Sequence, residues 1–163
     1  MRILVVSDTH GSGRLLIKLF EKIGGADALI HAGDGAGDVD AFKMRFPSIP
    51  VYSVAGNCDP PAGCPAELSC QIGGVNFLIA HGHTLHVKRG IEEIESEARL
   101  HGAEVAVFGH THKPFSEYFG GLWLLNPGSL AMTKYGRICY ATVEISGGRA
   151  VCGLFQMNYS ELD

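Results

Sequence analysis

Short apolar runs that break off into polar, glycine-flanked residues dominate this chain. Ile3-Leu4-Val5-Val6 stops at Ser7-Asp8-Thr9-His10-Gly11, and Ala28-Leu29-Ile30-His31 at Ala32-Gly33-Asp34-Gly35. Val51-Tyr52-Ser53-Val54 gives way to Ala55-Gly56-Asn57-Cys58-Asp59. Val75-Asn76-Phe77-Leu78-Ile79 runs into Ala80-His81-Gly82-His83, and Val105-Ala106-Val107-Phe108 into Gly109-His110-Thr111-His112. Runs of this length suit buried strands. Helical patterns lie between them. With Ser12 as N-cap, Leu15, Leu16, Leu19, Phe20 and Ile23 share one face before Gly24-Gly25 stops the helix. A second helix is expected over Asp38 to Arg45, closed by Pro47, and a charged third one over about Lys88 to His101.

Pro60, Pro61 and Pro65 predict a loop after Asp59. Gly73-Gly74 predicts a hairpin joining Glu67–Ile72 to the next strand. Leu122–Leu125 leads into Asn126-Pro127-Gly128-Ser129, and Arg137–Ile145 pairs with Arg149–Phe155 over Gly147-Gly148. Early βαβαβ units followed by consecutive strands predict an α/β protein whose strands form two sheets. The 163 residues suit one domain spanning 1–163.

Composition narrows the function classes. The formal net charge of -4 gives no support to a broad nucleic-acid footprint, so stable nucleic-acid binding is not expected. The first strand begins almost at Met1, which leaves no room for a signal peptide, and no apolar run approaches membrane-spanning length. The 5 Cys show no zinc-type spacing and read as reduced thiols of a cytoplasmic protein.

The chemistry sits at the strand ends, where ligands of open α/β sheets bind. Asp8 and His10, Asp34, Asn57 and Asp59, His81 and His83, then His110 and His112 fall there. Gly33, Gly56, Gly82 and Gly109 are expected to let the backbone turn sharply and bring these side chains close. Carboxylate, imidazole and amide oxygen suit borderline divalent metals, and the near absence of thiolates argues against a structural zinc site. The donors exceed what one four-coordinate ion needs, so two ions sharing a carboxylate would use them well. Each residue alone also has an ordinary role: Asp and Asn form turns, and histidines hydrogen-bond. Asp59 is expected to orient a loop or a ligand rather than bind metal itself. His31 is read either as a support for the ligands or as a buried strand-end residue. Cys58 is expected to be a packed, neutral thiol, and Asn126 and Gly128 to shape a turn under the site. His86 and His101 are read as surface or helix residues, and Arg14, Lys113 and Arg137 as solvated charges with contact to a phosphate as the alternative.

The ordered set Asp8-Thr9-His10, Gly33-Asp34, Gly56-Asn57-Cys58-Asp59, His81-Gly82-His83 and Gly109-His110-Thr111-His112 resembles the calcineurin-like metallophosphoesterase superfamily. Its length and Gly-Asn-Cys-Asp motif resemble the small, single-domain bacterial and archaeal phosphodiesterase branch, and Asn126-Pro127-Gly128-Ser129 extends the match. The resemblance implies a four-layer αββα sandwich of two mixed β-sheets flanked by helices. It implies two divalent metal ions, Mn²⁺ first, with Ni²⁺, Co²⁺, Fe²⁺ or Zn²⁺ as alternatives. Asp8, His10 and His112 would bind one ion, Asn57, His81 and His110 the other, with Asp34 bridging. The implied reaction is hydrolysis of a small phosphodiester by a metal-bridging hydroxide.

Cys58 departs from the histidine many members carry, which assists the leaving group or the transition-state charge. His83 is the candidate to replace it in part. A second reading is a binding scaffold like the retromer subunit of the same fold, whose metal site has lost ligands; here every expected ligand is present. A nuclease of the superfamily would generally carry extra domains. The segments Asp59–Pro65 and Lys113–Tyr118 are expected to be loops that set substrate choice. Apolar Phe115, Tyr118 and Phe119 offer a possible homo-oligomer interface.

Overall fold

Strands Arg2–Val6 (β1) and Ala28–His31 (β2) are buried at nearly every position, as parallel strands covered on both faces must be. They belong to a computed structural model that describes residues 1–60, 63–131 and 136–162. Pro61, expected in the loop after Asp59, and Asp163 lie outside the described residues. Helix Gly13–Lys22 (α1) follows β1, and helix Ala36–Arg45 (α2) follows β2. Then come Val51–Ser53 (β3), Glu67–Ile72 (β4), Val75–Ala80 (β5), helix Glu92–Leu100 (α3) and Val105–Val107 (β6). Phe115–Phe119 (β7), Leu122–Asn126 (β8), Arg137–Ser146 (β9) and Arg149–Asn158 (β10) complete the strands, and a short 3₁₀ turn covers Tyr159–Leu162.

The strands form two mixed five-stranded sheets, ordered β10-β9-β1-β2-β3 and β4-β5-β6-β8-β7. In the first, β1, β2 and β3 run parallel and β9 is antiparallel to β1. In the second, β5, β6 and β8 run parallel, with β4 and β7 antiparallel at the edges. Alternation along each strand separates three cores. Ile3, Val5 and Ile30 meet Phe77, Ile79, Val105 and Val107 between the sheets. Leu4, Val6 and Leu29 face Leu15, Leu16, Leu19 and Phe42 of the first two helices. Leu78, Ala106 and Leu124 face Ile94 and Ala98 of α3. The order of layers is therefore helices, sheet, sheet, helix, the αββα sandwich expected. Among the described residues no helix is long and apolar enough to cross a membrane.

Four expectations shift. Helix α2 starts at Ala36 rather than Asp38, because the Asp59 carboxylate accepts the Gly35 and Ala36 N–H groups from outside the helix. Helix α3 starts at Glu92 rather than Lys88: residues 83–89 form turns, and Val87 is buried beneath Gly82. Ser12 makes no side-chain cap; its carbonyl instead accepts from Leu15 and Leu16. Most of the expected loop Lys113–Tyr118 is strand, since Phe115–Phe119 pairs with β8. Tyr118 and Phe119 remain exposed there, but Phe115 is half-buried beside Phe108.

Phe77 is fully buried in the core between the sheets. Phe77→Ala should lower the unfolding free energy by about 3–5 kcal/mol in urea titrations.

Candidate metal centre

The C-terminal ends of β1, β2, β5 and β6 meet at one end of the sandwich, and the two sheets are laced together there. His110 N–H donates to Asp8 Oδ2, Leu130 N–H to the Ser7 carbonyl, and Ser129 Oγ to the Asp8 carbonyl. At this junction the backbone leaves strand geometry in an uncommon way. Asp8, His10, Asp34, His110 and His112 all have positive φ, from 44° to 65°. The left-handed region costs a residue with a Cβ about 1 kcal/mol, and such residues concentrate at functional sites. The expected turn glycines act differently from one another. Gly33 and Gly82 do take positive φ, but Gly56 and Gly109 do not. Those two are needed for space: a Cβ on Gly56 would collide with Asp34 Oδ1, and one on Gly109 with Ser7 Oγ.

The two buried carboxylates are each half-committed. Asp8 Oδ2 accepts from the Ser7 hydroxyl at 2.6 Å and from the His110 N–H at 3.1 Å. Asp8 Oδ1 is buried with no hydrogen-bond partner among the described residues. It lies 3.0 Å from His112 Nε2 and 3.9 Å from both His10 Nε2 and His81 Nε2. Asp34 Oδ1 accepts the Cys58 N–H at 2.8 Å, while Oδ2 lies 3.4 Å from His81 Nε2 and 3.9 Å from His10 Nε2.

His81 is fixed in one tautomer. Its Nδ1 donates to the Ala32 carbonyl at 2.7 Å, so in the neutral ring Nε2 carries a lone pair. That lone pair faces Asn57 Oδ1 at 3.2 Å as well as the free oxygen of Asp34. Acceptors converging on acceptors in a buried place are unfavourable until a cation lies among them. The donor set therefore fits divalent metal, with a ring N–H anchored on a carbonyl in the way metal-binding histidines are held.

Three groups of donor atoms lie within 4.8 Å of one another: Asp8, His10 and His112; Asp8, Asp34 and His81; and His10, Asp34 and Cys58. Asn57 joins through His81, and the His110 ring packs on His81 with centroids 5.0 Å apart. His83 stands at the rim, 5.4 Å from His81 and 6.1 Å from His110. Burial, then the neighbouring His81, holds its pKa below the ordinary histidine value. Cys58 is exposed rather than packed, and a hydrogen bond to Asp34 leads the effects that raise its thiol pKa.

A second ring of residues holds the donors in place. Asp59 accepts the N–H groups of Asp34, Gly35, Ala36 and Gly56 at 2.8–2.9 Å. Burial alone would raise its pKa, but these four bonds outweigh it and hold the carboxylate below its usual range. His31 Nδ1 accepts the Gly33 N–H, so Nε2 donates to Thr9 Oγ1, and the Thr9 hydroxyl donates to Asp38. Asn126 Nδ2 donates to the Gly109 carbonyl and to Thr111 Oγ1, and its Oδ1 accepts from Gly128. Thr9 and Asp38 escaped the sequence reading. The signal for Asp38 was its burial on the helix where Asp40 is exposed, which only the fold reveals.

The family model for the calcineurin-like phosphoesterase superfamily domain matches residues 1–148. The chain belongs to that superfamily. The probable metallophosphoesterase YsnB of Bacillus subtilis is 29% identical, over 100% of this chain and 95% of that protein. The phosphodiesterase YfcE of Escherichia coli is 27% identical, with 83% of each chain covered. A conserved protein of Streptococcus pneumoniae superposes with a TM-score of 0.79 at 26% identity, over 98% of this chain and 90% of that one. The half-committed carboxylates and the anchored histidine thus belong to a member of the calcineurin-like phosphoesterase superfamily.

Burial dominates His31 and lowers its pKa to about 4. The unfolded chain, with an ordinary value near 6.5, then binds the extra proton first. Stability contributed by neutral His31 is complete above pH 6.5 and is lost as pH falls to 4. Between pH 7 and pH 4 the wild type should lose about 3 kcal/mol more than His31→Gln, as read from urea unfolding at the two pH values.

Proposed function

We propose that the chain is a phosphodiesterase that hydrolyses a small phosphodiester with two divalent ions. The observation that carries this reading is the pair of buried carboxylates, Asp8 and Asp34, each aiming one uncommitted oxygen at histidine nitrogens. Asp8, His10 and His112 would hold one ion, and Asn57, His81 and His110 the other. Asp34 would bridge the two, as the superfamily pattern implies, and its Oδ2 approaches His10 at 3.9 Å and His81 at 3.4 Å. Carboxylate, imidazole and amide donors favour Mn²⁺ or a similar borderline ion. Bound there, such ions would polarise a phosphoryl oxygen and lower the pKa of water.

The protein's own groups supply position and hydrogen bonds. His10, Asn57 and His112 are exposed, so the substrate phosphate reaches the centre from their side. Asp34 and His81 form the buried floor. Cys58 is an exposed thiol whose pKa is raised first by a hydrogen bond to Asp34, and it stands beside the bridging carboxylate. His83, at the rim beside His81 and His110, offers a ring N–H to the leaving-group oxygen. The diester preference is supported by the likeness to YfcE, and the enzyme reading is favoured over a scaffold by the complete donor set. Five unpaired thiols support a reducing, cytoplasmic setting.

Bis(4-nitrophenyl) phosphate and 4-nitrophenyl phosphate, assayed with Mn²⁺, Ni²⁺, Co²⁺, Mg²⁺ and Zn²⁺, test this. Mn²⁺ should restore hydrolysis to chelator-treated protein, with the diester preferred. Asp34→Ala and His81→Ala should each cut kcat/KM by more than the roughly hundredfold typical of losing a supporting residue. No hydrolysis of either ester with any ion would overturn the proposal.

A further inference from the structure

Beside the candidate metal centre lies a cleft of about 650 Å³, inside the range of small-ligand pockets. Ile91, Phe108 and Phe115 give it an apolar floor, and Lys88 and Lys113 stand on its walls. Its lining contains no carboxylate among the described residues. Thr111 lines it too, and Thr111 separates His110 from His112, so the cleft adjoins the loop that carries two of the donors. The two lysines come from different parts of the chain. Lys88 lies in the turns before α3, and Lys113 follows the last donor histidine.

We propose that this cleft binds one ester group of the substrate, and that the group is apolar with a negatively charged substituent. The inference rests on the phosphodiesterase reading and names the class of diester. An apolar floor desolvates a ring or branched chain. Two ammonium groups with no competing carboxylate in the lining select an anion at its edge and repel a cationic group. A plain alkyl or uncharged aryl ester would leave both lysines without a ligand charge.

Two diesters with the same 4-nitrophenyl leaving group test the cleft, one carrying phenyl and the other 4-carboxyphenyl as the retained ester. The carboxylated diester should have the higher kcat/KM. The ratio of the two values should fall about fivefold in Lys88→Ala and in Lys113→Ala, the worth of one partly exposed ion pair. Lys43→Ala, on the exposed surface of α2, should leave the ratio unchanged. In parallel, equilibrium binding of benzylphosphonate and (4-carboxybenzyl)phosphonate is measured calorimetrically with Mn²⁺ present. The carboxylated probe should bind more tightly, and Lys88→Ala should remove that advantage. Equal ratios in wild type and both lysine variants would overturn the proposal. Where neither diester is hydrolysed, the phosphodiesterase reading fails and the binding advantage alone decides for or against the cleft.

Discussion

Asp8 is the residue on which the two sheets and the candidate centre jointly depend. Its N–H donates to Gly33 after β2, and its carbonyl accepts from Ser129 and Ala131 after β8. Its Oδ2 accepts the His110 N–H from the loop after β6. These bonds hold Asp8 in a left-handed conformation that an aspartate adopts at a cost. They also leave Oδ1 buried without a hydrogen bond, among the Nε2 atoms of His10, His81 and His112. A fold selected for stability alone gains nothing from that arrangement, because an unpaired buried carboxylate oxygen is costly. A cation held among these atoms turns the same cost into binding energy.

The surrounding bonds act by restraint. Asp59 ties the turn after β2 to the turn after β3, so Asp34 and Asn57 move together. Asn126 ties β8 to Gly109 and Thr111, so His110 and His112 are fixed from below. Ala32 fixes the His81 ring. The donors sit on loops, yet each loop is clamped by groups from a different strand. That is what a metal site needs if its geometry is to be set before the ion arrives.

Much of this was legible because it follows from local chemistry. Runs such as Ile3–Val6 and Val105–Phe108 mark strands by length and composition. Carboxylates and imidazoles at their ends mark a site by type, since such residues are costly to bury without purpose. The rest depends on contacts distant in sequence. Nothing near Asp8 or Asp34 announces a left-handed backbone, because the bonds that enforce it come from other strands. The start of α2 at Ala36 is set by Asp59, more than twenty residues away. Strand β7 was hidden by Pro114 and by the polar Ser116 and Glu117, although Gly120-Gly121, both at positive φ, form the hairpin turn that pairs it with β8. Cys58 is exposed rather than packed, since exposure depends on how far the β3 loop stands from the sheet.

The central claim is that Asp8 and Asp34 hold their free oxygens for divalent metal. Crystals grown with Mn²⁺ and measured at the manganese absorption edge test it most directly. Two anomalous peaks are expected at the ends of β1, β2, β5 and β6, with Asp34 between them, Asp8 and His112 on one and His81 and Asn57 on the other. A map with no manganese peak at these residues, or with Asp8 Oδ1 engaged in a protein hydrogen bond instead, would contradict it.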